Sequence, residues 1–330
     1  TFSDKVSFDN KITRGAFKNT AVDFIGNRKR FYILSSLIII IGIGSFITKG
    51  LNYGVDFKGG RTFIVRFDDS VNNENIRMSL GKVFVTDGVE MFPEVKTFGE
   101  DNQVKITTKY LIDSQDLNAD KLVTAQLEEG LSSSGSYEII SFQSNYAYEI
   151  MSSQKVGPTI ADDIKNASVW SIIFSLLVIF LYILIRFRKW QFSTGAVVAL
   201  LHDTLFVLSA FSIANFFGVS YEVDQVFIAA ILTIIGYSIN DTVVVFDRIR
   251  ETMGLKVGGN LIPLVNESIN KTLSRTIITS MTTFIVVLVL FLFGGPSLGG
   301  FSFALLIGIM IGTYSSVFVA TPIMVEFYKK

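Results

Sequence analysis

The sequence VFIAAILTIIGYSINDTVVVF, from Val226 to Phe246, decides the fold of this chain. A helix that crosses the hydrocarbon core of a bilayer needs about 20 mainly apolar residues, and this run has that length. One carboxylate, Asp241, lies inside the run, and the charged residues Asp247, Arg248 and Arg250 follow it. The run therefore predicts a transmembrane helix that has a polar residue within the membrane and a charged end outside it.

Five further runs of comparable length and composition flank this one on both sides. They are Phe31 to Thr48, Ala167 to Phe187, Thr194 to Phe217, Thr276 to Gly294 and Phe301 to Phe327. Overall the sequence is 49% hydrophobic and only 18% charged, whereas soluble domains have about 25% charged residues. The sequence predicts an α-helical polytopic membrane protein with six transmembrane helices.

Basic residues in the short flanking segments predict the orientation of these helices. They lie before helix one, between helices two and three, between helices four and five, and at the C-terminus, whereas 218–225 and 294–300 contain no Lys or Arg. Both termini are therefore expected in the cytoplasm. The expected organisation is a cytoplasmic segment 1–30, transmembrane helix one at 31–48, an extracytoplasmic α+β domain at 49–165, and helices two to six with short loops at 166–330.

The predicted outer domain has the element order βαββαβ. Its strands are expected at Thr62 to Phe67, Glu90 to Phe98, Gln103 to Thr108 and Tyr137 to Phe142, and its helices at Asn72 to Phe84 and Ala119 to Leu131. This order is typical of a ferredoxin-like split βαβ unit. We expect this domain to bind or to act as a lever rather than to catalyse a reaction.

The composition excludes several classes of function. The sequence has no cysteine and one histidine, so disulfides, thiolate metal sites and His-rich metal sites are excluded. The 29 basic and 29 acidic residues balance, which gives no basic excess for nucleic-acid binding. We expect no cofactor, no metal and no catalytic residue, and therefore no enzyme.

Ionisable residues within the membrane are costly and usually functional, and helices three to five contain several. Asp241 in helix four and Arg275 at the start of helix five are predicted to form a proton relay, because a guanidinium favours the charged form of a nearby carboxyl group and its distance can change with conformation. The expected supporting polar residues are Asn240, Thr242, His202, Asp203 and Thr279. Helices one, two and six are expected to be mainly structural.

Simpler interpretations of these residues stay open. Asp241 and Arg275 could form a static ion pair between two helices, and His202 could simply hydrogen-bond a neighbouring helix. An Asp, Asn and Thr cluster could also bind sodium instead of protons.

Several motifs together resemble the SecF family of bacterial protein export, which belongs to the RND superfamily. They are GVDFKGGRTF (54–63), VGPTIADDI (156–164), ALLHD (199–203), GYSINDTVVVFDRIRE (236–251) and NKTLSRTIITSMTT (270–283). The resemblance covers nearly the whole chain from about Asp23 and implies one RND-type half of a twelve-helix unit. It also places Asp241 and Arg275 on the family's intramembrane proton-path positions.

The resemblance implies a protein that uses the proton-motive force to assist preprotein export across the cytoplasmic (inner) membrane. The implied partners are SecD, separate or fused, the SecYEG translocon, YajC, YidC, exported preproteins and membrane lipid. The first residue, Thr1, is not Met, and this together with the polar segment 1–20 is consistent with a fused SecDF of which the chain is the second half.

Three other functions remain as alternatives. The first is half of an RND-type exporter of lipids or small molecules, and the second is a passive scaffold of the translocon. The third is an intramembrane aspartyl protease, which is disfavoured because neither Asp241 nor Asp203 lies in a GxGD run.

Overall fold

The computed structural model describes residues 22–328 except 87, 115, 117, 135–147, 257 and 258. Within these residues six helices are long and apolar enough to cross a membrane, which confirms the predicted number. They are α1 (Arg28–Lys49), α5 (Pro158–Phe187), α6 (Trp190–Phe216), α7 (Gln225–Leu255), α8 (Leu261–Phe293) and a last helix from Pro296 to Tyr328. A short helix α2 (Val55–Lys58) follows α1.

The last membrane helix contains one irregular turn. It consists of α9 (Pro296–Ser315), a π-helical segment Ser316–Ala320, and α10 (Thr321–Tyr328). Pro322 has no N–H and its ring crowds the carbonyl group four residues earlier, that of Phe318, so the regular hydrogen-bond pattern cannot continue there. The Thr321 hydroxyl donates to the Ser316 carbonyl oxygen at 2.8 Å and so satisfies one of the freed acceptors.

Two helices, α5 and α8, begin well before the apolar runs that predicted them: α5 starts at Pro158, whereas its apolar run starts at Ala167. α8 starts at Leu261, capped by the Asn260 side chain, whereas the apolar run starts only at Thr276. In the early turns Leu264, Val265 and Ile269 are buried against neighbouring helices. A hydropathy run finds only the part of a helix that lies in the membrane, and not an amphipathic extension of it.

The segment between α1 and α5 folds into an antiparallel sheet with two helices on one face. The strands of this sheet are β1 (Gly60–Phe67), β4 (Glu94–Phe98), β5 (Glu100–Thr108) and β6 (Tyr148–Val156), in the order β4-β5-β1-β6. β1 pairs antiparallel with both β5 and β6, and β4 with β5. A separate hairpin joins β2 (Val85–Thr86) to β3 (Val89–Glu90).

The two helices of this domain are α3 (Asn73–Val83) and α4 (Ala119–Ser134). The Asn72 side chain caps α3 by accepting hydrogen bonds from the N–H groups of Glu74 and Asn75. Apolar side chains of both helices pack on those of β1 and β5 and form the domain core: Ile76, Leu80, Val123, Leu127, Phe63, Val65, Val104 and Ile106. The core therefore lies between the sheet and the helix pair.

Two strand predictions need comment. The predicted strand Glu90 to Phe98 is wrong as a single element, since β3 ends at Glu90 and β4 begins at Glu94, with Pro93 between them. Proline cannot donate to a sheet ladder, which explains the break. The predicted strand Tyr137 to Phe142 lies outside the described residues. The strand that pairs with β1 at the sheet edge is β6, which begins only at Tyr148.

Charged groups join α4 to the sheet. The Asp120 carboxylate accepts hydrogen bonds from Lys155 at 2.7 Å and from Arg61 at 2.5 Å. These two cations hold the pKa of the Asp120 carboxyl group below its usual range.

The domain rests on the α6–α7 loop of the membrane part. The Gly54 N–H donates to the Val223 carbonyl oxygen at 3.0 Å, and the Val223 N–H donates to the Asn52 carbonyl oxygen at 2.7 Å. Lys105 on β5 forms an ion pair of 2.5 Å with Glu222. These contacts fix the end of β5 to the membrane part beside the start of α7.

Candidate functional site

Asp203 on α6 is fully buried among polar groups of three helices. One of its carboxylate oxygens, Oδ2, accepts hydrogen bonds from Ser238 on α7 at 2.6 Å and from Ser315 on α9 at 2.8 Å. The other oxygen, Oδ1, lies 3.0 Å from Nδ1 of His202. Asp203 therefore links α6, α7 and α9, and the single histidine lies directly beside it. We call Asp203, His202, Ser238 and Ser315 the Asp203 cluster.

Asp241 on α7 is the centre of a second cluster and is only 4% exposed. Its Oδ2 accepts a hydrogen bond of 3.1 Å from Ser280 on α8, and the hydroxyl oxygen of Thr313 on α9 lies 3.4 Å away. The hydroxyl oxygens of Ser280 and Thr313 are 2.6 Å apart. We call Asp241, Ser280 and Thr313 the Asp241 cluster. Its carboxyl group contacts neutral hydroxyl groups, which can partner either its protonated or its ionised form.

The two clusters are neighbours along α7 and α9. Ser238 precedes Asp241 by three residues, which is about 4.5 Å along a helix axis, and Thr313 precedes Ser315 by two. A single layer of the helix bundle therefore holds both buried carboxylates.

Arg275 does not contact Asp241 in this structure. Of the ion pairs within 4.0 Å that involve described residues, none joins these two side chains, and Arg275 is exposed. Ser280, which contacts Asp241, follows Arg275 by five residues, so the two side chains lie about 140° apart around α8. Arg275 thus lies on the outer face of α8, and Ser280 on the inner face.

The other predicted residues are divided between the interior of the helix bundle and its surface. Thr242 is buried, and its hydroxyl donates to the Ser238 carbonyl oxygen of its own helix at 3.2 Å. Asn240 and Thr279 are exposed, and the Thr279 hydroxyl donates to backbone carbonyl groups of α8. The structure therefore places Asp241, Thr242, His202 and Asp203 inside the bundle. It leaves Asn240, Thr279 and Arg275 on the surface.

The hydroxyl residues that contact the two carboxylates were not among the predicted site residues. These are Ser238, Ser280, Thr313 and Ser315, and two of them belong to α9. The last helix, which was expected to be mainly structural, therefore contributes contacts to both clusters. Isolated Ser and Thr residues in apolar runs are common, and only the inter-helix packing shows which of them meet an acidic side chain.

The part of the chain that the structure describes contains no candidate metal site built from several ionisable side chains. No group of three or more His, Cys, Asp or Glu side chains there could hold a metal ion. Each cluster instead combines one carboxylate with hydroxyl oxygens, which suits the binding of a proton or of a single small cation.

Two family models match the chain. The model described as "Protein export membrane protein SecD/SecF, C-terminal" matches residues 137–330, and the "SecD/SecF GG Motif" matches residues 44–71. The first covers more than half of the chain and includes both clusters. The second covers the end of α1 and all of α2 and β1.

Curated relatives align over almost the entire chain. A protein named "Protein translocase subunit SecF" from Rhodothermus marinus is 45% identical over 312 residues, which is 94% of each chain. A protein of the same name from Haemophilus influenzae is 38% identical over 301 residues, covering 91% of this chain and 84% of the relative.

The fold also matches solved structures. SecDF from Thermus thermophilus, described as a translocon-associated membrane protein, superposes with a TM-score of 0.76 at 30% identity, over 95% of this chain and 39% of the SecDF chain. A structure of SecDF in a "super-membrane-facing form" gives a TM-score of 0.62 at 30% identity, over 94% of this chain and 39% of that chain. This chain thus spans well under half of the SecDF chain. The family models, the identities and the fold agree that the chain belongs to the SecF family of multi-pass membrane subunits of the protein-export translocase.

Proposed function

We propose that the protein is a proton-motive-force-driven auxiliary subunit of the Sec translocase that assists preprotein export together with SecD. The observation that carries this proposal is the Asp241 carboxyl group, buried in the bundle and contacted by neutral hydroxyl groups of α8 and α9. A carboxylate within the membrane is costly unless a cation or proton neutralises it. Asp241 is therefore the proposed proton carrier.

Arg275 is the proposed counter-charge. It is separated from Asp241 in the described arrangement and lies on the outer face of α8. A rotation of α8, or a swing of the long guanidinium side chain, would bring its charge toward Asp241 and favour loss of the proton. Proton uptake and release are then tied to two positions of α8 relative to α7.

The exposed polar face of the bundle supports SecD as the partner. Asn240 on α7 and Arg275, Thr279 and Thr282 on α8 are exposed within or beside the spanning segments. Polar side chains rarely face lipid and usually face another helix or a water-filled cavity. We infer that six helices of SecD, fused or separate, cover this face and complete the relay.

The proposed location is the cytoplasmic membrane, with both termini in the cytoplasm and the α/β domain outside. In this proposal transmembrane helix one begins at residue 31, the outer domain at residue 49, and the segment with helices two to six at residue 166, as expected from the apolar runs. The strand order β4-β5-β1-β6 and the antiparallel pairing support a ferredoxin-like topology for the outer domain. We propose that this domain acts as a lever on preproteins emerging from SecYEG, with YajC and YidC as further neighbours.

The test is export driven by the proton-motive force in membrane vesicles. Asp241→Asn keeps the size and hydrogen-bonding capacity of the side chain but cannot ionise, and Arg275→Met removes the proposed counter-charge. Each variant is expected to reach the membrane normally and to lower proton-dependent preprotein translocation by about 100-fold, the lower end of what a proton-transferring group contributes.

Two variants serve as controls. Asp247→Asn and Arg248→Met make the same changes at the charged end of α7, where Asp247 pairs with Arg186 and Arg248 with Glu251. Both are expected to retain export activity. Full activity of Asp241→Asn and Arg275→Met would contradict the relay and favour a passive scaffold. Export that depends on a sodium gradient instead of a proton gradient would identify sodium as the coupling ion.

A further inference from the structure

A cavity of about 670 Å³ lies between α1, α5, α6 and α7, at the ends of these helices that face the α/β domain. Both α1 and α5 pack on α6, and the cavity occupies the space between them. It contains none of the residues of the Asp203 or Asp241 cluster. Its volume lies within the range of about 300–1,000 Å³ that is common for small-molecule sites.

The cavity begins at the membrane surface and extends into the apolar layer. On α1 its lining residues run from Phe46 to Gly42, and on α5 they run from Lys165 to Ile172. The first distance is four residues, or about 6 Å along a helix axis, and the second is seven residues, or about 10 Å. The cavity therefore spans the depth between lipid headgroups and the upper part of their acyl chains.

The deeper walls of the cavity are apolar and partly face outward. Ile43, Phe46, Val169 and Leu205 line it, and each is more than 40% exposed in this chain. In a bilayer such side chains contact acyl chains. The mouth is lined by Tyr53 and by other aromatic residues, which are typical of the headgroup level.

Two cations stand at the mouth. Lys58 at the end of α2 and Lys165 near the start of α5 line the same cavity, and both are exposed. Within the described residues neither ammonium group has a carboxylate within 4.0 Å, and no acidic residue lines the cavity. The mouth therefore offers two lysine ammonium groups that form no ion pair within 4.0 Å with any described residue, above an apolar slot.

We propose that this cavity binds one anionic phospholipid from the leaflet on the side of the α/β domain. One acyl chain lies in the slot between α1 and α5, and the headgroup phosphate lies between Lys58 and Lys165. The charge of the mouth selects this occupant over a zwitterionic lipid or an apolar peptide segment, because each basic residue at a membrane surface favours anionic lipid.

The test is lipid binding by the full chain in detergent, followed by native mass spectrometry. The purified protein is delipidated and titrated with phosphatidylglycerol or with phosphatidylcholine of the same acyl chains. Wild type is expected to bind one phosphatidylglycerol in preference to phosphatidylcholine. Replacing both lysines, Lys58→Gln with Lys165→Gln, is expected to weaken phosphatidylglycerol binding by about 30-fold, which is about fivefold for each lysine. Binding of phosphatidylcholine should not change.

A second variant tests the slot itself. Val169→Trp fills the cavity from α5, whereas Ile173→Trp places the same side chain at an exposed position of α5 outside the cavity lining. Val169→Trp is expected to lower binding of both lipids, and Ile173→Trp to leave binding unchanged. The charge control is Lys82→Gln with Lys121→Gln, two exposed lysines of the α/β domain, which should bind like wild type.

Three results would overturn the proposal. They are equal affinity for the two lipids, binding within twofold of wild type for the double lysine variant, and equal effects of Val169→Trp and Ile173→Trp. A photoreactive group at position 169 should crosslink to lipid in native membranes. A protein adduct there instead would show that a partner helix or a preprotein occupies the cavity.

Discussion

At the scale of single residues, the two buried carboxylates have different surroundings although both lie in the same layer of the helix bundle. Asp203 has a hydrogen-bond partner on each oxygen and is fully buried. Asp241 has only hydroxyl neighbours, on one oxygen. Asp203 is thus built into the packing of three helices, whereas Asp241 retains one oxygen with no protein partner among the described residues. This difference supports the proposal that Asp241 carries the proton and that Asp203 links the helices.

The structural role of Asp203 predicts the effect of Ser238→Ala. This change removes a hydrogen bond of 2.6 Å to a buried carboxylate and leaves that oxygen with Ser315 alone. We expect a loss of about 1 kcal/mol in the free energy of unfolding. It would be measured as a lower midpoint of thermal unfolding in detergent.

The matched control is Ser193→Ala on α6. Ser193 is equally buried, but its hydroxyl has no hydrogen-bond partner among the described residues, so the midpoint should change little. Equal effects of the two variants would mean that the Asp203 hydrogen bond contributes nothing measurable to stability.

At the scale of elements, the last membrane helix determines how the bundle closes. Through Thr313 and Ser315 it contacts both buried carboxylates, and the π-helical segment follows directly. The irregular turn brings its backbone very close to α6: a Cβ added at Gly195 would lie 2.5 Å from the Ala320 carbonyl oxygen. Glycine at 195 is thus required by a close approach of two backbones.

This contact predicts that Gly195→Ala destabilises the bundle. The methyl group meets a backbone oxygen, which cannot move aside like a flexible side chain. Overpacking of this kind costs about 1–3 kcal/mol, and we expect a loss of that size in thermal unfolding.

Gly44→Ala on α1 is the corresponding control. A Cβ added there has no neighbour within 4 Å, so this variant should be neutral or slightly more stable, by at most about 1 kcal/mol from helix propensity. If Gly195→Ala were as stable as Gly44→Ala, α6 and the π-helical segment would have to be free to move apart.

At the scale of the whole molecule, the α/β domain and the bundle meet through both apolar and polar contacts. The Lys105–Glu222 ion pair lies beside the backbone hydrogen bonds of Val223, and both side chains are about four-fifths buried. Glu222 and Val223 directly precede Asp224, whose side chain caps α7. We therefore predict that a force on β5 reaches the helix that holds Asp241.

Reversing the charges of this pair tests the connection. Lys105→Glu or Glu222→Lys alone places like charges together and should loosen the domain, so that the amides of Gly54 and Val223 exchange with deuterium several-fold faster. The double variant, Lys105→Glu with Glu222→Lys, should restore slow exchange. If all three variants exchange fast, the swapped ion pair does not restore the contact. Protection of these amides would then depend on the native Lys105 and Glu222 side chains for a reason other than their opposite charges.

The sequence by itself determined the spanning helices. Their apolar runs are long because a bilayer core requires about 20 such residues, and this requirement acts on each helix separately. For the same reason a carboxylate within a run is conspicuous, and Asp241 and Asp203 could be selected as site candidates without knowledge of the fold.

The contacts between helices were decided only by the tertiary structure. Which hydroxyl groups meet Asp203 and Asp241, and which face of α8 carries Arg275, depends on how each helix is rotated about its axis against its neighbours. Ser and Thr residues occur on every face of these helices, and one residue of rotation is about 100°, so the apolar pattern does not fix their partners. The sequence therefore predicted the two buried acids, and packing alone assigned their neighbours, including the two that come from the last helix.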